Sequence, residues 1–79
     1  MDETMITVRV QGSHRRVLAG GDRVTVDWRP GETLSQLLQR LEVPADAIWL
    51  LVVNGQRVDA GYRLAPGDQV EIMSPVGGG

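Results

Sequence analysis

The chain has no cysteine, no lysine and no phenylalanine, and its only aromatic residues are two tryptophans and one tyrosine among 79 positions. Each absence excludes something. Without cysteine, neither a disulfide nor a zinc–thiolate site can staple a chain this short. Nor can any side chain carry a persulfide or a thioester. Without lysine, all eight cations are arginine. No side-chain amine is then present to accept an acyl group, and the N-terminus is the only amine. So few aromatics mean a core built from Val, Leu and Ile. The longest apolar run, residues 48–53, falls far short of the roughly 20 residues of a membrane-spanning helix. A formal charge of -2 gives no general attraction to nucleic acid or anionic membrane. The first residues, Met1-Asp2-Glu3-Thr4, are acidic and polar, unlike a signal peptide, and a soluble cytoplasmic protein is expected.

Catalytic sets are also missing. His14 is the only histidine, so no Ser/His/Asp arrangement is evident. A lone histidine in a glycine-flanked loop reads most simply as solvated, although His14-Arg15-Arg16 is also a candidate contact for an acidic partner. Asp59, Asp68 and Glu71 do not have metal-ligand spacing.

What is present has clear periodicity. Ile6, Val8 and Val10 alternate with Thr7 and Arg9, as in a half-buried strand. Val24, Val26 and Trp28 repeat the pattern. The segment between them, residues 11–22, contains Gly12, Gly20 and Gly21 and reads as the loop of a hairpin. Within it, His14 to Leu18 can extend either flanking strand. Arg29-Pro30-Gly31-Glu32 breaks the alternation. Thr33, followed three residues later by Gln36, has the form of a capping box opening a helix. Leu34, Leu37, Leu38 and Leu41 share one face of that helix, which Pro44 is expected to end. Residues 48–53 are apolar on both faces, the mark of a central strand or of one whose outer face meets a partner. Asn54-Gly55 signals a tight hairpin turn, and Gln56-Arg57-Val58 returns as a short strand. Pro66 and Gly67 suit the two central positions of a turn. In the last strand Val70 and Ile72 face inward, and Glu71 and Met73 outward. The order is β-β-α-β-β-β, an α+β domain with one sheet wrapped on one helix.

Beyond that strand lies Ser74-Pro75-Val76-Gly77-Gly78-Gly79. Terminal glycines gain nothing from packing and lose the most entropy on ordering. One reading is a frayed end; the other is a thin probe carrying a carboxylate into a partner's active site. The domain is expected over residues 1–76, with 77–79 as a flexible tail. If Trp49, Leu51 and Val53 point at the helix, then Leu50, Val52 and Met73 form an apolar patch on the opposite face, near the tail. The alternatives are a reversed register or loops that cover this face.

Three stretches together carry a resemblance: Leu51-Val52-Val53-Asn54-Gly55-Gln56-Arg57-Val58, then Leu64-Ala65-Pro66-Gly67-Asp68-Gln69-Val70-Glu71-Ile72, then Pro75-Val76-Gly77-Gly78-Gly79. The chain resembles the MoaD/ThiS family of ubiquitin-like sulfur carriers. Gly77 stands where that family more often has Ala or Ser, and the 11–22 loop is longer and more basic than its usual form. The resemblance implies a β-grasp (ubiquitin-like) fold with the first and last strands adjacent in a mixed sheet. It implies that an E1-like adenylating enzyme (ThiF/MoeB-like) activates the Gly79 carboxylate with ATP. A sulfur donor then converts it to a thiocarboxylate, which passes sulfur to an acceptor synthase (MoaE-like or ThiG-like) in molybdopterin, thiamin thiazole or related biosynthesis. Gly78 and Gly77 would thread the tail, and Leu50, Val52, Met73, Pro75 and Val76 would dock the partner. The chain itself would be a protein co-substrate rather than an enzyme, without a bound cofactor or metal. It would serve either as a free carrier or as the small subunit of a sulfurtransferase such as molybdopterin synthase. The alternatives are a non-covalent β-grasp interaction module and a ubiquitin-like modifier conjugated to other proteins.

Overall fold

The computed structural model describes residues 4–12, 18 and 21–74. Among these residues, five strands and one α-helix follow in the order β1 (Met5–Gln11), β2 (Arg23–Asp27), α1 (Leu34–Arg40), β3 (Leu50–Val53), β4 (Gln56–Val58) and β5 (Gln69–Met73), with a 3₁₀ turn, Ala45–Ala47, before β3. The sheet order is β2-β1-β5-β3-β4. β1 and β2 form the antiparallel hairpin expected from their alternation. β5 lies parallel to β1 and antiparallel to β3. This is the β-grasp arrangement: the first and last strands are neighbours at the centre of a mixed sheet. The segment expected to extend a strand, His14 to Leu18, lies outside the described residues except for Leu18. Leu18 is buried and bridges to Gly21.

The core is the meeting of two periodicities. Ile6 and Val8 from β1, Val70 and Ile72 from β5, and Leu34 and Leu37 from α1 are all fully buried. Leu18, Leu38, Leu51, Val53 and Leu64 complete the cluster, with Leu41, Val24, Val26 and Trp28 among the residues packed at its margin. The period of two in the strands and the 3.6-residue repeat of the helix present these side chains to the same layer. The indole Nε1–H of Trp28 donates to the Leu64 carbonyl at 2.9 Å, which satisfies its one polar atom within the core margin.

The helix is only seven residues long, too short to be stable alone, and depends on its ends and its buried face. Its first four amides are all satisfied. Thr33 N–H donates to Gln36 Oε1 (2.9 Å) and Gln36 N–H to Thr33 Oγ1 (3.2 Å), which is the expected capping box. Leu34 N–H donates to the Tyr62 carbonyl (2.8 Å) and Ser35 N–H to the Ala60 carbonyl (2.9 Å). The 59–64 loop is therefore docked on the helix N-terminus by the helix's own unpaired donors.

The helix end differs from expectation. It stops before Pro44 acts, because Glu42 adopts a left-handed conformation with φ 58. Glu42 N–H donates to the Gln39 carbonyl (3.1 Å) and Val43 N–H to the Leu38 carbonyl (3.0 Å). These two reverse bonds form a Schellman motif with glutamate at the position glycine usually takes. Replacement of Glu42 by glycine is expected to relieve that conformation and stabilise the fold by about 0.5–1 kcal/mol. Chemical denaturation of the two proteins checks this, and a Gly variant less stable than the parent would contradict it.

Candidate functional site

The site grows from the last residues of β5. Met73 is the end of the strand, and its carbonyl accepts the Trp49 N–H at 2.7 Å. Ser74 follows, almost fully buried. Its N–H donates to the Gln11 carbonyl at the end of β1 (2.8 Å), and its hydroxyl donates to the Ala47 carbonyl of the 3₁₀ turn. The final described residue is thus held from both sides, by β1 and by the approach to β3. Pro75, Val76, Gly77, Gly78 and Gly79, the expected tail and part of the expected docking set, lie outside the described residues.

The three remaining docking candidates share one face. Leu51 and Val53 are buried against the helix, so Leu50 and Val52 stand on the opposite face of β3, half-buried. Leu50 lies directly across from Met73, and Val52 lies between Glu71 on β5 and Arg57 on β4. Glu71 in turn pairs with Arg9 at 3.8 Å. The face therefore has an apolar end beside Ser74 and a charged row, Arg57, Glu71 and Arg9, immediately behind it. Surface ion pairs of this kind contribute little to stability.

Trp49 departs from expectation. It does not point at the helix but is 69% exposed. The strand begins at Leu50, and Ile48 packs on the core in its place. A bend at Trp49 interrupts the alternation, so counting back by twos from Leu51 assigns the indole to the wrong side. A large apolar side chain thus stands in solvent beside the end of β5, where sequence alternation placed core.

A second feature that local pattern does not reveal lies at the other end of β5. The Asp68 carboxylate is buried, 4% exposed, and accepts from three neutral donors: Asn54 Nδ2 (2.8 Å), Tyr62 Oη (3.0 Å) and Ala65 N (2.8 Å). Asn54 is itself clamped to β5. Gln69 N–H donates to its Oδ1, and its own N–H donates to the Gln69 carbonyl, both at 2.9 Å. The Asn-Gly turn and the Gly-Asp turn, 14 residues apart, are thereby one hydrogen-bonded unit. Asp59 instead caps the Gly61 N–H within its loop (2.9 Å), and Glu71 is the partner of Arg9. Among the described residues no cluster of carboxylates and histidines has the shape of a metal site.

Burial, and then the hydrogen bond its hydroxyl donates to the Asp68 carboxylate and that carboxylate's charge, push the Tyr62 phenol above its ordinary range. The folded state therefore holds the phenolic proton more tightly than the unfolded chain. Its stabilising contribution is complete below the unfolded value near 10 and is lost as pH rises through the higher folded value. Tyr62 is the only tyrosine, so tyrosinate absorbance reports this one group. Tyr62→Phe is expected to cost about 1 kcal/mol at neutral pH and to flatten the alkaline fall in stability. An unchanged alkaline limb in denaturation curves would remove the group from that role.

Comparison with known proteins agrees with this geometry. The sequence profile of the ThiS family matches residues 8–79. No curated protein matches the chain. Among solved structures, Urm1 from Trypanosoma brucei superposes with a TM-score of 0.73 at 26% identity over 96% of both chains. SAMP1 from Haloferax volcanii superposes at 0.69 with 20% identity, covering 95% of this chain and 99% of its own. A second structure of that small archaeal modifier protein gives 0.68 at 18% identity over 92% and 99%.

Proposed function

We propose, from the premise that this chain belongs to the ThiS family, that it is a ubiquitin-like sulfur carrier whose Gly79 carboxylate is the working group. The observation that carries the reading is that the family match runs through the terminal glycines, in register after a last strand anchored at Ser74. In this reading an E1-like adenylating enzyme (ThiF/MoeB-like) binds ATP, and the Gly79 carboxylate oxygen attacks the α-phosphate. Pyrophosphate leaves, and an acyl-adenylate remains. A donor persulfide sulfur then attacks the acyl carbon and expels AMP, forming an acyl disulfide. A thiol of the partner cleaves its S–S bond, leaving a thiocarboxylate on the carrier and a disulfide on the partner. The thiocarboxylate serves a sulfur-accepting synthase of cofactor biosynthesis. The chain needs no catalytic side chain for this. Its part is to be recognised and to hold a slender terminus out to the partner's active site, where glycines add no side chain to obstruct the path.

Recognition falls, in the same reading, to the face of Leu50, Val52 and Met73, extended by the exposed Trp49. An adaptable methionine and an exposed indole suit a docking surface. The arginines behind them favour an acidic rim on the partner.

A second reading has a specific observation in its favour. The likeness to a small archaeal modifier protein supports conjugation of Gly79 to other proteins by the same adenylated intermediate. The absence of lysine leaves such conjugation possible but gives no side-chain amine on which this chain could be extended into polymers.

Incubation with the cognate activating enzyme, ATP and a persulfide donor, followed by intact-mass measurement, tests the proposal. The expected product has one oxygen exchanged for sulfur and is lost when Gly79 is deleted. Val52→Asp is expected to raise the KM for adenylation about tenfold or more while leaving the fold intact. Failure of the intact chain to be adenylated by any activating enzyme of its source would overturn the carrier and modifier readings together. Adducts to other proteins without a thiocarboxylate would favour the modifier.

A further inference from the structure

Among the described residues the sheet has an open edge that matches itself. β2 terminates the sheet on the side away from β3 and β4. Val10 N–H donates to the Asp22 carbonyl and Trp28 N–H to the Thr4 carbonyl. With the register Val8↔Val24 and Ile6↔Val26, the even-numbered residues of this hairpin arm bond to β1. The N–H and C=O groups of Arg23, Thr25 and Asp27 consequently point away from β1, to the edge. Such a row is a template for another strand.

The sequence of the edge is Arg23-Val24-Thr25-Val26-Asp27. Read backwards, it keeps its apolar positions and its centre and exchanges a cation for an anion. We propose that two copies of this chain pair through β2, antiparallel, about a two-fold axis at Thr25. Thr25 then meets the second copy's Thr25. Arg23 meets the second copy's Asp27, and Val24 meets its Val26. The pairing is isologous, so it closes as a dimer. Parallel pairing in register would set Arg23 on Arg23 and Asp27 on Asp27. An antiparallel slip of two residues would lose both ion pairs. Only the two-fold register satisfies all five positions, and like charges directly opposed disfavour its competitors.

The flanking surface fits the same occupant. Leu18, Val24, Val26 and Leu41 line an open apolar groove along this edge on the helix side, and the second copy's Val24 and Val26 would extend the apolar layer across it. Asp27 is already engaged. Arg40 donates to its carbonyl (2.9 Å) and its carboxylate (3.3 Å), and Arg29 donates to the other oxygen (3.4 Å). A carbonyl accepts two hydrogen bonds and a carboxylate about four, so the second copy's Arg23 adds to these contacts without displacing them. A five-residue edge is a small interface, and the dimer is expected to be weak and to form at high protein concentration. It lies beyond β1 from the Leu50, Val52 and Met73 face. Both copies therefore keep that face open, and the inference does not depend on the proposed carrier role.

Sedimentation equilibrium of the intact chain as a function of concentration tests it, together with amide hydrogen exchange. The expected result is a monomer–dimer equilibrium in which the Arg23, Thr25 and Asp27 amides gain protection as concentration rises. Val24 and Val26, already bonded to β1, should change little. Thr25→Lys and Arg23→Glu each place like charges together across the axis and are expected to weaken dimerisation about tenfold or more. Circular dichroism confirms that these exposed positions leave the fold intact. A chain monomeric across the whole range overturns the proposal. So does a dimer indifferent to both substitutions, because its contact lies elsewhere.

Discussion

The buried carboxylate of Asp68 is the constraint on which the rest of the structure depends. A charge taken out of water is costly unless its lone pairs are met. Here they are met by an amide on the β3–β4 turn, a phenol on the following loop and a backbone N–H of its own turn. Remove the carboxylate and three donors on three separate segments lose their acceptor at once. The same contacts decide where β5 begins. Asn54 holds Gln69 through both its backbone and its side chain, so the strand starts in one register against β3. Tyr62 extends the constraint further. Its hydroxyl reaches Asp68 while its carbonyl accepts the first amide of the helix.

That register is carried along β5 to its other end. With Val53 opposite Val70, Leu50 is opposite Met73 and Ser74 falls between Gln11 and Ala47. A strand slipped by one residue would turn Val70 and Ile72 to solvent and Glu71 to the core. It would also take Ser74 away from its partners Gln11 and Ala47. In the proposed carrier chemistry, this register sets where Ser74 stands relative to the recognised face. The latch at Asp68 lies at the opposite end of β5 from Ser74, but it fixes where Ser74 falls.

The two edges of the sheet are treated differently. β4 is three residues long and ends the sheet briefly, a common way to discourage further pairing. β2 is longer, and Arg40 closes only one end of it by bonding the Asp27 carbonyl. Charged residues on an edge usually discourage pairing. On β2 their order is complementary under a two-fold axis, so the same charges that oppose a growing stack are compatible with a closed pair. The two edges thus differ both in length and in the order of their charges.

Local physics was legible without the fold. Alternation marked β1, β2 and β5, the Thr33–Gln36 box opened the helix, and Asn54-Gly55 turned the hairpin, because each depends on residues a few positions apart. The leucine face named its own core for the same reason. Long-range pairing was not legible. Nothing in β5 itself states that its neighbours are β1 and β3, and the resemblance of the motifs, not their periodicity, supplied that order. Alternation counted back from Leu51 turns Trp49 inward only if it continues past the bend where the strand begins, and it does not. Pro44 is the visible stop signal for the helix, whereas a glutamate in a left-handed cap has no sequence mark. Asp68 read as a turn residue because its donors come from positions 54, 62 and 65. The sequence by itself determined which segments are strand or helix, which side of most of them is apolar, and that no cysteine or lysine chemistry is available. Only the tertiary structure decided which strands meet, which carboxylate is buried, and that an exposed tryptophan stands beside the end of β5. Those properties arise from contacts between distant residues, where burial and hydrogen-bond satisfaction outweigh local preference.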